Sequence, residues 1–141
     1  MSSDQESDLA GRLSAVPLFG SLDPAELASV SALVSPFDAP AGHVLVQPGM
    51  VGAGLFLIED GTVTLTVQDR ELELGPGEFF GELALLDERA VRTTRVRAQT
   101  AVSGYVVNRD DFERLLDRDP AIAVYMLKVL AHRLVDVIGS H

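Results

Sequence analysis

Gly77-Glu78-Phe79-Phe80-Gly81-Glu82-Leu83-Ala84-Leu85-Leu86 is followed, ten residues past Glu82, by Arg92-Thr93-Thr94-Arg95-Val96-Arg97-Ala98. The span from Glu82 to Leu86 consists of strong helix formers set between strand-like segments, which predicts one or two helical turns. Gly81 then stands at the N-terminus of that turn, where free backbone N–H groups and the helix dipole suit a phosphate. Lacking a side chain, it would let the backbone approach a ligand closely. In the second segment, Val96 and Ala98 facing an interior sends Arg95 and Arg97 outward, and the same parity turns Thr94 and Arg92 inward. An inward arginine needs an anion beside it, because an unpaired buried charge costs several kcal/mol. Together the two segments describe an anion pocket with a carboxylate next to it.

Outward from this centre the texture is β on both sides. Short β-branched runs recur between Phe37 and Val107: Val44–Val46, Leu55–Ile58, Val63–Val67, Leu72–Leu74, Val96–Ala98 and Val102–Val107. Glycine and proline punctuate them at Ala41-Gly42, Pro48-Gly49, Asp60-Gly61 and Gly75-Pro76-Gly77, the pattern of an antiparallel sandwich, barrel or jelly roll. Thr62, Thr64 and Thr66 alternate with Val63, Leu65 and Val67, giving that strand one wet and one dry face.

The flanks are helical. Leu9, Leu13 and Val16 sit at helical spacing before Pro17. Asp23-Pro24-Ala25-Glu26 reads as an N-cap, a proline at the first helical position and an acidic first turn. That helix is expected to carry Leu27, Val30, Leu33 and Val34 inward and to stop before Pro36. After the β region, Phe112, Leu115 and Leu116 mark a short helix, and a longer one runs from Ala121 to Ile138. The expected organisation is a disordered acidic tail over 1–8 and one domain over 9–141. Within it lie a helical lead (9–36), a β-roll (37–107) and C-terminal helices (110–138).

Composition narrows the function. A chain of 141 residues with 47% hydrophobic and 23% charged residues is globular, and it has no cysteine, so disulfides and thiol chemistry are excluded. No apolar run approaches ~18 residues, and the acidic start is unlike a secretory signal, so the expected location is cytoplasmic. Eleven basic against 21 acidic residues give −10, which disfavours nucleic acid and anionic membranes as direct partners. Yet Arg89, Arg92, Arg95 and Arg97 crowd into nine positions.

Other chemistries fail on spacing. Gly75, Gly77 and Gly81 do not make G-x-G-x-x-G, and no βαβ pattern surrounds them. His43, His132 and His141 are not at metal-ligand spacing, so no metal is expected. There is no Gly-x-Ser-x-Gly and no histidine in a triad context. No catalytic apparatus is visible, so the chain is read as not an enzyme.

The segment Phe80-Gly81-Glu82-Leu83-Ala84-Leu85-Leu86, with Arg92-Thr93-Thr94 and Val96-Arg97-Ala98, resembles the phosphate-binding cassette of cyclic nucleotide-binding domains. The resemblance extends to Pro17-Leu18-Phe19, Leu22-Asp23-Pro24 and the turn glycines Gly42, Gly49 and Gly61. It implies a mainly β fold, a double-stranded β-helix (jelly-roll) β-roll with N-terminal and C-terminal helices. By position it implies that Glu82 accepts from the ribose 2′-hydroxyl and that Arg92 pairs with the cyclic phosphate. The Thr93 hydroxyl and the backbone N–H groups of Gly81, Glu82, Leu83 and Ala84 would assist, with Thr94 alongside. The division is chemically sound, since arginine presents a rigid donor fork to phosphate oxygens while a carboxylate is repelled by them. Val91 and Met50 depart from residues common in relatives, away from the implied contacts.

The resemblance further implies a cyclic purine nucleotide as ligand, cAMP favoured over cGMP, with occupancy relayed through the C-terminal helix. A ligand-free structural or dimerisation module of the same fold is the alternative. Arg133 matches a helix arginine that lies beside the nucleotide and the cassette glutamate in activator-type members, and could pair with Glu82. The helix from Ala121 to Ile138 has one narrow polar line, Lys128, His132 and Asp136; most other positions are apolar, which predicts a homodimer through it. Members of the family usually carry an output module after this helix. The sequence leaves open whether this chain is a stand-alone sensor or part of something longer.

Overall fold

The computed structural model describes residues 9–49, 54–82 and 94–139. Among the described residues eight strands form two four-stranded sheets: β1 (Val34–Ala39), β2 (Val44–Val46), β3 (Leu55–Asp60), β4 (Val63–Val67), β5 (Arg70–Leu74), β6 (Phe79–Phe80), β7 (Thr94–Ala98) and β8 (Val102–Val107). One sheet has the order β1-β8-β3-β6 and the other β2-β7-β4-β5, with every pairing antiparallel. Consecutive strands alternate between the sheets except for the β4–β5 hairpin, as in a jelly roll.

The helical parts are α1 (residues 9–14), a 3-10 turn at Pro17–Phe19, α2 (Pro24–Ser31), α3 (Arg109–Arg118) and α4 (Pro120–Gly139). Asp23 fixes the start of α2. Its carboxylate accepts from the Glu26 N–H at 2.8 Å while the Glu26 carboxylate accepts from the Asp23 N–H at 3.1 Å, a reciprocal capping box. Asn108 caps α3 by accepting from the Asp111 N–H at 2.9 Å. No described helix is long and apolar enough to cross a membrane.

Two apolar clusters follow from strand parity. In β3, Leu55 and Leu57 point to a cluster shared with the helices, including Leu18, Phe19, Phe112, Ile122 and Met126. Phe56 and Ile58 point the other way, between the sheets, to meet Phe80, Val96, Leu65 and Val63. The first sheet is therefore covered on both faces in its centre, which is why Leu55–Ile58 is continuously apolar. The second sheet keeps one wet face: Val63 and Leu65 are buried while Thr64 and Thr66 are partly exposed.

Several expected boundaries are corrected. The helical lead does not reach residue 36: α2 ends at Ser31, and Val34 opens β1. Pro36 stops no helix; it sits in β1, an edge strand, where a residue without an N–H is tolerated. Leu33 and Val34 nevertheless pack on the helix-side cluster. β3, β5 and β7 each extend beyond their apolar runs, to Asp60, from Arg70 and from Thr94, because ladder pairing carries them into polar residues. The two-residue β6 carries no strand pattern of its own. α3 begins at Arg109 rather than 110, and α4 runs to Gly139.

Candidate functional site

β6 and α4 meet at one place on the roll. β6 ends at Phe80, and Gly81 turns the chain at φ +96, a left-handed conformation that glycine adopts without strain. The space a Cβ would need at Gly81 is filled by the Gly54 carbonyl oxygen. Packing of the chain on itself is therefore enough to require glycine at this position.

The turn delivers Glu82 into the interior, where its side chain is 1% exposed. Arg133 comes from the middle of α4 and is 8% exposed. Its Nη1 donates to Glu82 Oε1 at 3.0 Å and its Nη2 to the Phe79 carbonyl at 2.6 Å. The guanidinium also lies over the Phe79 ring, 4.6 Å from its centroid, a cation–π contact that favours arginine over lysine. Residues 51 positions apart are thus joined across the roll–helix boundary.

Thr94 is buried at the start of β7, while Arg95 and Arg97 are exposed, so the strand has the parity expected of it. Leu83, Ala84, Arg92 and Thr93 lie outside the described residues, as do Met50 and Val91. Among the described residues, the buried Glu82 Oε2, Thr94 Oγ1 and Arg133 Nε have no hydrogen-bond partner. Buried polar atoms are almost always satisfied, so the acceptor Glu82 Oε2 and the donor Arg133 Nε left over on the buried ion pair mark a place for a further group.

Beside this pair a cleft of about 290 Å³ opens between β5 and α4. Leu72, Leu74 and Val129 supply its apolar wall, and Glu78, Lys128, His132 and Asp136 its polar rim. The polar line of α4 expected from the sequence therefore borders this cleft. His132 is exposed and stands 3.6 Å from Asp136. Among the described residues no three His, Cys, Asp or Glu side chains gather into a metal-ligating group.

Burial pushes the Glu82 carboxyl above its ordinary value of 4.5, and the Arg133 guanidinium draws it only part of the way back. The folded protein therefore holds this proton more tightly than the unfolded chain does. Glu82's contribution to stability falls as pH rises from the ordinary carboxylate value through the raised one. Urea unfolding of wild type and Glu82→Gln between pH 4 and 8 is expected to show wild type losing ground to the variant as pH rises. Parallel pH profiles would remove the raised carboxyl.

Sequence reasoning named Glu82, Thr94 and Arg133 but missed Phe79, whose carbonyl and ring both hold Arg133. Two adjacent phenylalanines before a glycine carry one usable signal: in a strand they must face opposite ways. Phe79 does face the helices and Phe80 the roll interior.

Fold and site define a class: a β-roll domain covered by a C-terminal helix that is ion-paired to the roll. Residues 36–119 match the cyclic nucleotide-binding domain family, and the chain belongs to that family. It is 38% identical over 121 residues to a cyclic nucleotide-gated potassium channel of Rhizobium etli, covering 86% of this chain and 34% of the channel. It is 38% identical over 110 residues to a cAMP-dependent protein kinase regulatory subunit of Aspergillus fumigatus, covering 74% of this chain and 26% of the subunit. The chain thus spans about a third or less of these relatives. The fold superimposes on the regulatory domain of Toxoplasma gondii PKA with cAMP at a TM-score of 0.77. That likeness has 21% identity and covers 92% of this chain and 51% of the other.

Proposed function

We propose that this chain is a non-enzymatic sensor domain that binds a cyclic purine nucleotide, cAMP in preference to cGMP, and relays occupancy through α4. The observation that carries the reading is the buried Glu82–Arg133 pair with its leftover acceptor and donor. A cyclic nucleotide offers the complementary set. A ribose hydroxyl donates to a carboxylate such as Glu82 Oε2, and anionic phosphate oxygens accept from donors such as Arg133 Nε and Thr94 Oγ1. Gly81, Leu83, Ala84, Arg92 and Thr93 complete the set by their match to the family cassette. The preference for cAMP leans on relatives named for cAMP. On this reading the domain acts in the cytoplasm, without nucleic acid or membrane as direct partner, in keeping with its charge of −10.

Calorimetric titration with cAMP and cGMP tests the reading. Saturable 1:1 binding of both, tighter for cAMP, is the expected result. Heat-silent titrations confirmed by unchanged thermal stability would favour the ligand-free module of the same fold.

The relay is proposed to run into a homodimer. α4 buries Ile122, Met126 and Arg133 against the roll. On its other side Val124, Leu127, Ala131, Leu134 and Ile138 are exposed and spaced 3-4-3-4, the repeat of a coiled-coil seam. Leu127 is 69% exposed and Leu134 60%, far more than a monomer gains from leaving open. Sedimentation at ~50 μM protein in ~0.5 M salt, where contacts between exposed charges are screened, is expected to give a dimer, and Leu134→Glu a monomer, since a charge in an apolar seam is unfavourable; a wild-type monomer with and without nucleotide refutes the seam. Leu130, by contrast, packs on the helix-side cluster, so a charge there reports on folding instead.

A further inference from the structure

The outer face of the β2-β7-β4-β5 sheet carries an ordered set of charges, one of which, Glu73, also lines the cleft beside α4. Register places Arg97, Thr64 and Glu73 in one row across three adjacent strands, and Arg95, Thr66 and Glu71 in the next. All six side chains point outward; the four charged ones are exposed and the two threonines partly so. The face is thus a basic column on β7, a neutral threonine column on β4 and an acidic column on β5. Neighbouring strands lie ≈ 4.8 Å apart, so the two charged columns stand roughly 10 Å from one another, and residues within a column about 7 Å. Arg97 is anchored by its Nε donating to the Gly42 carbonyl at 3.3 Å. Among the described residues none of the four charged groups makes an ion pair. Much of the face borders a shallow cleft of about 800 Å³.

This arrangement is self-complementary. A two-fold axis laid along β4 exchanges the two sides of the sheet while keeping each row at its own height. Opposed face to face at the usual ~10 Å sheet separation, Arg97 of a second copy meets Glu73 and Arg95 meets Glu71, in both directions. The threonine columns meet at the axis, where no charge faces its like. A polyanion would find the acidic column on the same face, and a basic partner the arginine column. A second copy satisfies both at once.

We propose that this sheet face is a second, salt-sensitive interface between copies of this chain, distinct from the α4 seam. It rests on strand register and charge, not on nucleotide binding. With two different two-fold interfaces, one protomer joins two others, so assemblies larger than a dimer form at low ionic strength.

The test is sedimentation velocity without nucleotide, in a Leu127→Glu/Leu134→Glu background that silences the helix seam. Both positions are exposed, and circular dichroism verifies each variant's fold. Dimer is expected at low salt, with an apparent Kd about tenfold or more weaker at ~0.5 M, where screening shortens to a few Å. Arg95→Glu/Arg97→Glu and Glu71→Arg/Glu73→Arg are each expected to be monomeric. Mixed in equal amounts they form a heterodimer, and the four substitutions combined in one chain restore the homodimer. A background protein that stays monomeric at low salt overturns the proposal, as does failure of the mixed variants to associate. Heparin binding lost with the arginines, without self-association, assigns the face to a polyanion instead and also overturns it.

Discussion

Replacing Arg92 with alanine is expected to abolish cyclic nucleotide binding while leaving the fold intact. On the proposed function Arg92 pairs with the phosphate, by its match to the family cassette. Removing one member of a buried charge pair costs roughly 3–5 kcal/mol, a few hundred- to several thousand-fold in affinity. On the same proposal Glu82→Ala removes one charged hydrogen bond to ligand, about 1.5–3 kcal/mol by itself. Glu82 also holds Arg133, so that variant loses stability as well as affinity. Arg92→Ala is therefore the cleaner probe. Calorimetry showing wild-type affinity in Arg92→Ala, with an unchanged melting temperature, would falsify the pocket assignment. The same variant with no binding and an unchanged melting temperature is the expected pair of readings.

What the sequence displays of this fold depends on which sheet a strand joins. The β2-β7-β4-β5 sheet has a wet face, so Val63–Val67 and Thr94–Ala98 alternate and are readable by period alone. The other sheet is hidden on both sides at its centre, and there alternation gives way to other signals. Leu55–Ile58 is legible as a short apolar run, but β1, with Pro36 and Asp38, looks like a loop after a helix. It becomes a strand only because β8 pairs along its whole length, from Val34 opposite Val107 to Ala39 opposite Val102. Phe79–Phe80 is shorter than any period and exists as a strand through its pairing with Phe56 and Leu57. Local propensity is silent where tertiary pairing decides.

The site divides the same way. Glu82 beside a glycine, and arginines at alternating positions, are local facts that a chemist can read. The union of Glu82 with Arg133 is not local. Nothing in the spacing of residues 51 positions apart predicts it, and only resemblance to the family brought Arg133 forward. The Phe79 carbonyl that takes the second Arg133 donor was invisible because backbone groups carry no sequence signature. The exposed face of α4 was legible as excess hydrophobicity. Its division into a roll-facing side and a 3-4-3-4 seam needed the buried positions Ile122, Met126 and Arg133 to set the phase.

Arg133→Met is expected to be the most destabilising conservative change in the domain. Methionine keeps an unbranched stem of similar length over Phe79, so packing is largely retained and the loss reports the charge. Three interactions go together: the ion pair to Glu82, the hydrogen bond to the Phe79 carbonyl and the cation–π contact. What remains is a carboxylate that is 1% exposed with no counter-charge among the described residues, a situation worth about 3–5 kcal/mol. The sign with pH follows from the same physics. Without Arg133, burial raises the Glu82 carboxyl further, so the variant's deficit is largest at pH 7 and shrinks toward pH 4 as the group takes up a proton. Adding Glu82→Gln should recover at least half of the deficit at pH 7, because it removes the uncompensated charge and leaves only neutral groups to satisfy. Urea unfolding of the two single variants, the double variant and wild type closes the cycle. A deficit below about 0.5 kcal/mol in Arg133→Met at pH 7, the range of an ordinary surface change, would show that α4 is held by its apolar side alone. In that case occupancy of the site has no ionic handle on the helix, and a relay through α4 would have to run through Ile122 and Met126 instead.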